Sequence, residues 1–417
     1  MARKAEAGGR RPATGGSEAA EVPGTGGDGR EYQNPLTPGR PKLATLRDMS
    51  PVVDTLARLV AFPTISDRPV TGIASYIAER CESAGFRVER FESPGEGKVN
   101  VVASRGPAGT DGLVLSGHMD VVPVEGQPWK TDPFKLTERG SSLHGRGTAD
   151  MKGFIAATLE VLGQLPNLER ELVLAWTCDE EVGCLGSRDL VHKLAGRPLP
   201  SLCLIGEPTN FRIFHMHPGH VAVRLTCEGR AAHSSKPDLG ENAIRKAAHA
   251  IEALDGLAAD WRADVHFADL LERPFVVLNV ARISGGVAIN VVPDRCVVDV
   301  GFRPLPGMDE DKLVEQVRER VAAFASTELL RITPALLTET GTPLEHLLRP
   351  YASSPDLGAA AFATDGGNLA QLGMRSLVFG PGNIDVAHMA NEYVDTGELH
   401  RAIQIVAEVV ARRCGAL

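Results

Sequence analysis

No apolar run in the 417 residues approaches the ~18 that a membrane-spanning helix needs. A basic excess is also missing. Lys and Arg number 44 against 53 Asp and Glu, for a net charge of −9. That balance argues against a nucleic-acid binder, whose footprint is a basic patch or stripe. Cysteine is sparse and irregular: Cys81, Cys178, Cys184, Cys203, Cys227, Cys296 and Cys414 are odd in number, and no pair has zinc-ribbon spacing. No secretory signal precedes them, so the expected compartment is a reducing cytoplasm and a disulfide framework is not expected. A phosphate loop is absent too: "GGRRPATGGS" follows no strand and lacks Gly-Lys-Ser/Thr.

What is present is enough chain for two or more domains, with an ordinary 43% of hydrophobic residues. Residues 1–43 are rich in Gly, Pro, Arg and Glu without apolar periodicity and are expected to form a disordered tail. Order is expected from "SPVVDTLARLVAFPTIS", where Val53, Leu56, Leu59 and Val60 recur at helical spacing. A helix at 70–84, a strand at 86–92, a strand in "GLVLSGHMD" and a helix at 151–164 follow. Next come strands in "ELVLAWTCDEE" and "SLCLIGEPT", with a helix at 184–194 between them. This alternation predicts an α/β layer architecture.

Near residue 212 the pattern changes. "HVAVRLTCEGR" alternates like a half-exposed strand, then come a helix at 240–257, strands in "FVVLNVARIS" and "RCVVDVGFRP", a helix at 309–324 and a strand in "LLRITPALL". That order is β-α-β-β-α-β, the split ferredoxin-like unit. The first pattern then returns, with a buried strand in "RSLVFGPG" and a terminal helix in "DTGELHRAIQIVAEVVARR". The expected organisation is an α/β domain in two parts, 44–211 and 338–417, with an α+β unit inserted at 212–337.

The stretch "LVLAWTCDEEVGC" poses a physical problem. Leu172 to Thr177 read as a strand buried on both faces, yet it runs straight into Asp179, Glu180 and Glu181. Two carboxylates about 4 Å apart repel by roughly 4 kcal/mol at an effective dielectric of about 20. Solvent, a basic neighbour or a metal ion must offset that cost. Open α/β sheets build their sites beyond the C-terminal ends of their strands, and the other predicted strands end in similar residues. "LVLSGHMD" ends at His118 and Asp120, "LCLIGEP" at Glu207, and "SLVFGPGNIDVAH" reaches His388 after a short loop. Asp150 in "GRGTADMKG" precedes a helix with Ile155, Leu159 and Leu162 on one face. Carboxylates and imidazoles delivered from five segments suit zinc, cobalt or manganese. His118 and Asp120 face the same way in an extended segment, so one can bind a metal while the other orients it. Adjacent Glu180 and Glu181 point differently, so one can ligate while the other handles a proton. Asp179 receives no role from this pattern.

The motifs "SGHMDVVPVEGQPWKTDPF", "HGRGTADMKG", "TCDEEVGCLGS", "GEPT", "GRAAHSS", "RPLPGM" and "FGPGNIDVAHMANEYV" resemble the dinuclear zinc amidohydrolases and peptidases, over about residues 45–415. That family includes acetylornithine deacetylase, succinyl-diaminopimelate desuccinylase, aminoacylase and glutamate carboxypeptidase. The resemblance implies a zinc-peptidase-like α/β catalytic domain with a ferredoxin-like dimerisation or lid domain, and two divalent ions, zinc or cobalt. By the same resemblance His118 and His388 would each cap one ion, Asp150 would bridge both, and Glu181 and Glu207 would complete one shell each. Asp120 would orient His118, and Glu180 would be the general base. His233 would reach the partner's active site in a homodimer and support the oxyanion. Asn290 and Arg303 would hold the substrate carboxylate, and Thr364 would lie near the substrate. The implied substrate is a small N-acyl amino acid, N-acetylornithine first. "FATDGGNLAQLG" departs from the deacetylase pattern, with Thr364-Asp365-Gly366 where Thr-Glu-Ala is expected. Desuccinylase-like and broader N-acyl-amino-acid hydrolysis stay open, as does a non-catalytic binding homologue, which a degenerate site would mark.

Overall fold

In the computed structural model, which describes residues 50–66 and 68–415, four apolar strands expected from the sequence lie side by side. Leu172–Thr177, Leu113–His118, Leu202–Ile205 and Arg375–Val378 are neighbours and run parallel. The first three are buried along their whole length because helices cover both faces of the sheet. Alternate residues serve the two faces. Leu113, Leu115, Leu172, Leu174 and Leu204 pack with the helices Ser50–Val60, Thr71–Ser83, Lys152–Val161 and Thr396–Cys414. Val114, Val173, Cys203 and Ile205 pack with Leu190, Val191 and Leu194 of the helix Leu185–Leu194. Each fully buried aliphatic side chain contributes roughly 1.5–3 kcal/mol relative to exposure. The predicted tail at 1–43 lies outside the described residues.

Antiparallel strands extend this sheet to nine among the described residues. Val99–Arg105, which the sequence did not reveal, sits between Arg87–Glu92 and Leu172–Thr177. At the other edge, Phe214–His217 pairs with Arg375–Val378 and with Leu336–Leu337. The predicted borders at 212 and 337 therefore each take a strand of the larger sheet into the insertion. Phe214–His217 and the strand that follows it, His220–Glu228, are separated only by Pro218 and Gly219, yet they belong to different sheets.

The smaller sheet has four strands in the order Val277–Gly285, Arg295–Arg303, His220–Glu228, Ser326–Thr333, all antiparallel. One face alternates inward: Val221, Val223, Leu225 and Cys227 on one strand, and Cys296, Val298, Val300 and Phe302 on its neighbour. They bury against Ala247, Ala250 and Leu254 of the helix Ala243–Ala263 and against Val314, Val317 and Val321 of the helix Glu310–Val321. Arg331 and Thr333, at the end of Ser326–Thr333, tie this layer to the larger one. The guanidinium donates to the Val182 carbonyl at 2.8 Å, and the Thr333 hydroxyl to the Gly183 carbonyl at 3.0 Å.

A third sheet joins Thr137–Arg139, Ser142–His144 and Tyr393–Asp395. It brings the segment before Asp150 beside the segment after His388. No helix among the described residues is long and apolar enough to cross a membrane. All seven cysteines are free and buried.

Candidate metal centre

Five segments deliver the predicted ligands to one place. Asp150 occupies the middle. Its Oδ1 lies 2.9 Å from His118 Nε2, and its Oδ2 lies 3.3 Å from His388 Nε2. A further carboxylate stands by each imidazole. Glu181 Oε2 is 2.9 Å from His388 Nε2, and Glu207 Oε1 is 3.8 Å from His118 Nε2. His118, Asp150 and Glu207 are buried, whereas His388 is half exposed. The backbone is tightly specified here: His388 and Asp179 are non-glycine residues in the left-handed region, at φ of 62° and 54°. Gly206, just before Glu207, has no alternative, because a Cβ there would lie 2.0 Å from the Phe154 ring.

The electrostatics are those of a site short of positive charge. Burial raises the proton affinity of Glu207 well above the usual carboxylate range, with Asp150 adding to it. Burial and Asp150 likewise push Glu181 up to about 7. Burial would discharge Asp150 as well, but hydrogen bonds from His118 and His388 hold its carboxyl below the ordinary value. His388 is correspondingly pushed up to about 10 by its hydrogen bonds to Asp150 and Glu181. Burial opposes a charge on His118, but Asp150 and Glu207 hold its proton affinity well above the ordinary value.

Asp120 stands beside His118 and reaches it chiefly through its backbone. His118 Nδ1 bonds to the Asp120 backbone carbonyl at 2.9 Å, while the nearer carboxylate oxygen is 3.7 Å away. The carboxylate is taken up elsewhere. It accepts the amides of Glu180 at 3.1 Å and Glu181 at 3.3 Å, and the Ser66 hydroxyl at 2.8 Å. It thus fixes how the two adjacent glutamates leave their strand.

The acidic triplet is resolved residue by residue. Asp179 pairs with Lys98, Nζ to Oδ1 at 2.6 Å, and both are more than nine-tenths buried. Lys98 also donates to the Ser66 carbonyl. Glu181 turns to His388, and Glu180 is left partly exposed beside the cluster.

The remaining predicted residues lie apart. His233 and Asn290 are exposed neighbours on the insertion: His233 bridges to Val291, and the Asn290 carbonyl accepts from Ser234 at 3.0 Å. Among the described residues, His233 Nδ1 bonds to the Ser235 hydroxyl at 2.8 Å, not to the cluster. Arg303 is half-buried; burial and nearby Arg331 lower its proton affinity. Thr364 lies beside His217. It is wholly buried, and its hydroxyl and amide both face His217 Nε2, at 3.0 and 3.3 Å. Its hydroxyl also accepts the Gly366 amide at 3.1 Å.

His217 is itself informative. Its Nδ1 donates to the Pro218 carbonyl at 3.0 Å, so Nε2 accepts from Thr364 and the ring is neutral. Burial lowers its pKa to about 4. Because the folded value lies below the unfolded value of about 6.5, this ring costs no stability above pH 6.5. As the pH falls from there toward 4, the unfolded chain takes up a proton that the fold refuses. The loss approaches roughly 3 kcal/mol at pH 4. Urea unfolding at pH 7 and pH 4.5 should therefore show a smaller acid penalty in His217→Gln than in the wild type. Equal penalties would mean that the ring titrates normally.

Sequence reasoning missed a buried ion pair behind the centre. Arg146 and Glu392 meet at 2.7 Å, each 1% exposed. Glu392 also accepts the amides of Gly147, Ala149 and Asp150 at 2.9–3.1 Å. The carboxylate after His388 thus moulds the loop that presents Asp150. Arg146 stacks 5.0 Å over the Trp129 ring and donates to Gln127, whose amide bonds to the His388 carbonyl at 2.9 Å. Both residues stand inside quoted motifs, but nothing in their spacing marks them as partners.

A layered α/β sheet with this carboxylate–imidazole centre defines a metallohydrolase class, and the comparisons agree. Residues 114–412 match the model of peptidase family M20/M25/M40, and the chain belongs to that family. It is 35% identical over 375 residues to an acetylornithine deacetylase of Myxococcus xanthus, covering 87% of this chain and 97% of the relative. In fold it resembles an M20 family metallo-carboxypeptidase from Sulfolobus solfataricus, with a TM-score of 0.73, 19% identity, and 86% and 98% of the two chains covered. It also resembles the Bacillus subtilis YXEP protein, a dinuclear metal-binding peptidase, with a TM-score of 0.60, 15% identity, and coverage of 87% and 98%.

Proposed function

We propose that the protein is a dinuclear metal-dependent amidohydrolase that cleaves the amide of an N-acyl amino acid, N-acetylornithine to ornithine plus acetate. The observation that carries this reading is the symmetry about Asp150: each oxygen faces one histidine, and each histidine has its own second carboxylate. Such oxygen-and-nitrogen half-sites fit zinc or cobalt, and the carboxylate excess leaves room for the added charge. Two divalent ions held by His118, Asp150, Glu181, Glu207 and His388 would supply Lewis acidity toward the amide oxygen and toward water.

The chain's own groups do the rest. Glu180, oriented through its amide by Asp120, takes the proton of the attacking water and returns it to the leaving amine. Arg303 receives the substrate carboxylate with Asn290; a fork of guanidinium donors suits that group. The exposed apolar side chains of Val287 and Ile289, at 87% and 102% exposure, support pairing of two insertions in a homodimer. In that dimer His233 serves the partner's oxyanion. The seven free cysteines fit a reducing cytoplasm. The completeness of the site weighs against a non-catalytic binding homologue.

The deacetylase reading rests on the 35% identical relative. Succinyl-diaminopimelate and broader N-acyl-amino-acid hydrolysis are the alternatives, because Asp365 departs from the deacetylase pattern. The test is a hydrolysis panel of N-acetylornithine, N-succinyl-diaminopimelate and simple N-acyl amino acids, run beside metal analysis after zinc loading. Two ions per chain and fastest turnover of N-acetylornithine are expected. Inert N-acyl amino acids in a protein holding both ions would overturn the activity. Activity indifferent to chelators, with almost no bound metal, would overturn the centre.

A further inference from the structure

Beside the predicted ligands lies a second convergent group that the hydrolytic reading does not use as a unit. One ligand atom from each of Glu180, Cys184 and Asp365 lies within 4.8 Å of the others. The Cys184 thiol donates to Glu180 Oε1 at 3.3 Å. Cys184 and Asp365 are 2% exposed, and Glu180 is partly exposed. Asp365 supplies an independent sign that something is missing. Its Oδ2 accepts from the Thr177 hydroxyl at 2.5 Å, but its Oδ1 is buried without a hydrogen-bond partner. The neighbouring Ser187 hydroxyl stands within reach of the Asp365 carboxyl, but its one proton is directed to the Cys184 carbonyl at 3.1 Å. A buried carboxylate oxygen left unserved is costly.

We propose that Cys184, Glu180 and Asp365 form a third cation site, for a thiophilic divalent ion such as cadmium or excess zinc, whose occupancy withdraws Glu180 from catalysis. The inference rests on the hydrolase reading above and deepens it into inhibition at the same centre. One sulfur and two carboxylates suit zinc or cadmium, whereas magnesium and calcium favour oxygen alone. The site is rigidly framed. Cys184 sits in the left-handed region at φ 55°, and its carbonyl is held by Asn368 Nδ2 at 3.0 Å. Burial raises the thiol's proton affinity, with Glu180 adding to it, so the sulfur stays protonated until an ion displaces the proton. Binding breaks the S–H bond heterolytically. The sulfur electron pair goes to the ion and the proton to solvent, with no change of oxidation state. Arg331, close to Cys184, favours the thiolate. Partly exposed Glu180 gives the ion its approach, and once it ligates, it no longer accepts the proton of water.

The experiment uses the zinc-loaded full chain titrated with cadmium. Three quantities are read: the sulfur-to-cadmium charge-transfer band, bound cadmium and zinc per chain, and turnover. In the wild type a third ion should bind with the band, and turnover should fall by roughly 10²-fold or more, the scale of a general base's contribution. Cys184→Ser, which keeps a hydroxyl beside Glu180, should lose the band and the third ion, and its turnover should no longer respond to the added cation. Asp365→Asn should bind the third ion at least about tenfold more weakly. Circular dichroism checks that each variant folds, and either one suffices. A wild type that binds no third ion, or a band that persists in Cys184→Ser, overturns the proposal. A chain that never holds the first two zinc ions overturns the hydrolase reading instead, while the band's dependence on Cys184 still decides the third site.

Discussion

Glu180→Gln should lower kcat by about 10²–10⁴-fold, because the amide cannot accept the proton of water. It should keep the fold and both ions, since Glu180 acts on His118 through its charge and is not among the five proposed ligands. Glu181→Gln should behave differently: it removes the partner of His388 at 2.9 Å, so metal loading should weaken first. Metal content and kcat measured on both variants separate the roles of these adjacent residues. Near-wild-type turnover in Glu180→Gln would reassign the base. The same variant tests the proposed dimer. Mixed with an inactive His233→Ala chain and allowed to exchange, it should regain up to about one quarter of wild-type activity, because half of randomly mixed dimers carry one intact site. Exchange without recovery would place His233 outside its partner's chemistry.

Glu392→Gln should destabilise the fold by roughly 3–5 kcal/mol, the usual cost of removing one partner of a buried ion pair. The guanidinium of Arg146, 1% exposed, would keep its charge without the carboxylate that balances it. The carboxamide retains one carbonyl oxygen for the three amides of Gly147, Ala149 and Asp150, where the carboxylate offers two. Two readouts are expected to move together: the urea midpoint falls, and zinc affinity falls because the Asp150 loop relaxes. Loss of stability with unchanged zinc affinity would mean that the pair braces the fold without shaping the centre. Changing Arg146 and Glu392 together to apolar residues should recover part of the stability but not the affinity.

The residues that could be read directly were those whose chemistry is local. Leu113–His118 and Leu172–Thr177 are continuous apolar runs because both of their faces are covered, and a run of that kind has few other readings. His118 ends such a strand, and Glu181 and Glu207 stand just beyond others, where open α/β sheets place their sites. The insertion's alternating strands were equally plain, since one face is wet and one dry. What escaped depends on partners distant in the chain. Lys98 and Asp179 are 81 residues apart, and Arg146 and Glu392 are 246 apart. Val99–Arg105 escaped because Asn100 breaks its apolar run, although that side chain is buried and serves the Cys178 amide and the Gly186 carbonyl. The strands of the third sheet span three residues each, too few to show a period. The border of the insertion slipped because a strand of one sheet continues, after two residues, as a strand of another.

The tie from Arg331 and Thr333 to the carbonyls of Val182 and Gly183 links the two sheets at a sensitive place. Those carbonyls belong to the turn that begins at Glu180, so the smaller sheet is fastened to the segment that carries the proposed base. A swing of the insertion would load this turn like a lever acting on its fulcrum. If Arg303 and Glu180 hold the roles proposed above, ligand capture and alignment of the glutamate share one mechanical linkage, and a substitution that loosens the tie should change KM and kcat in concert.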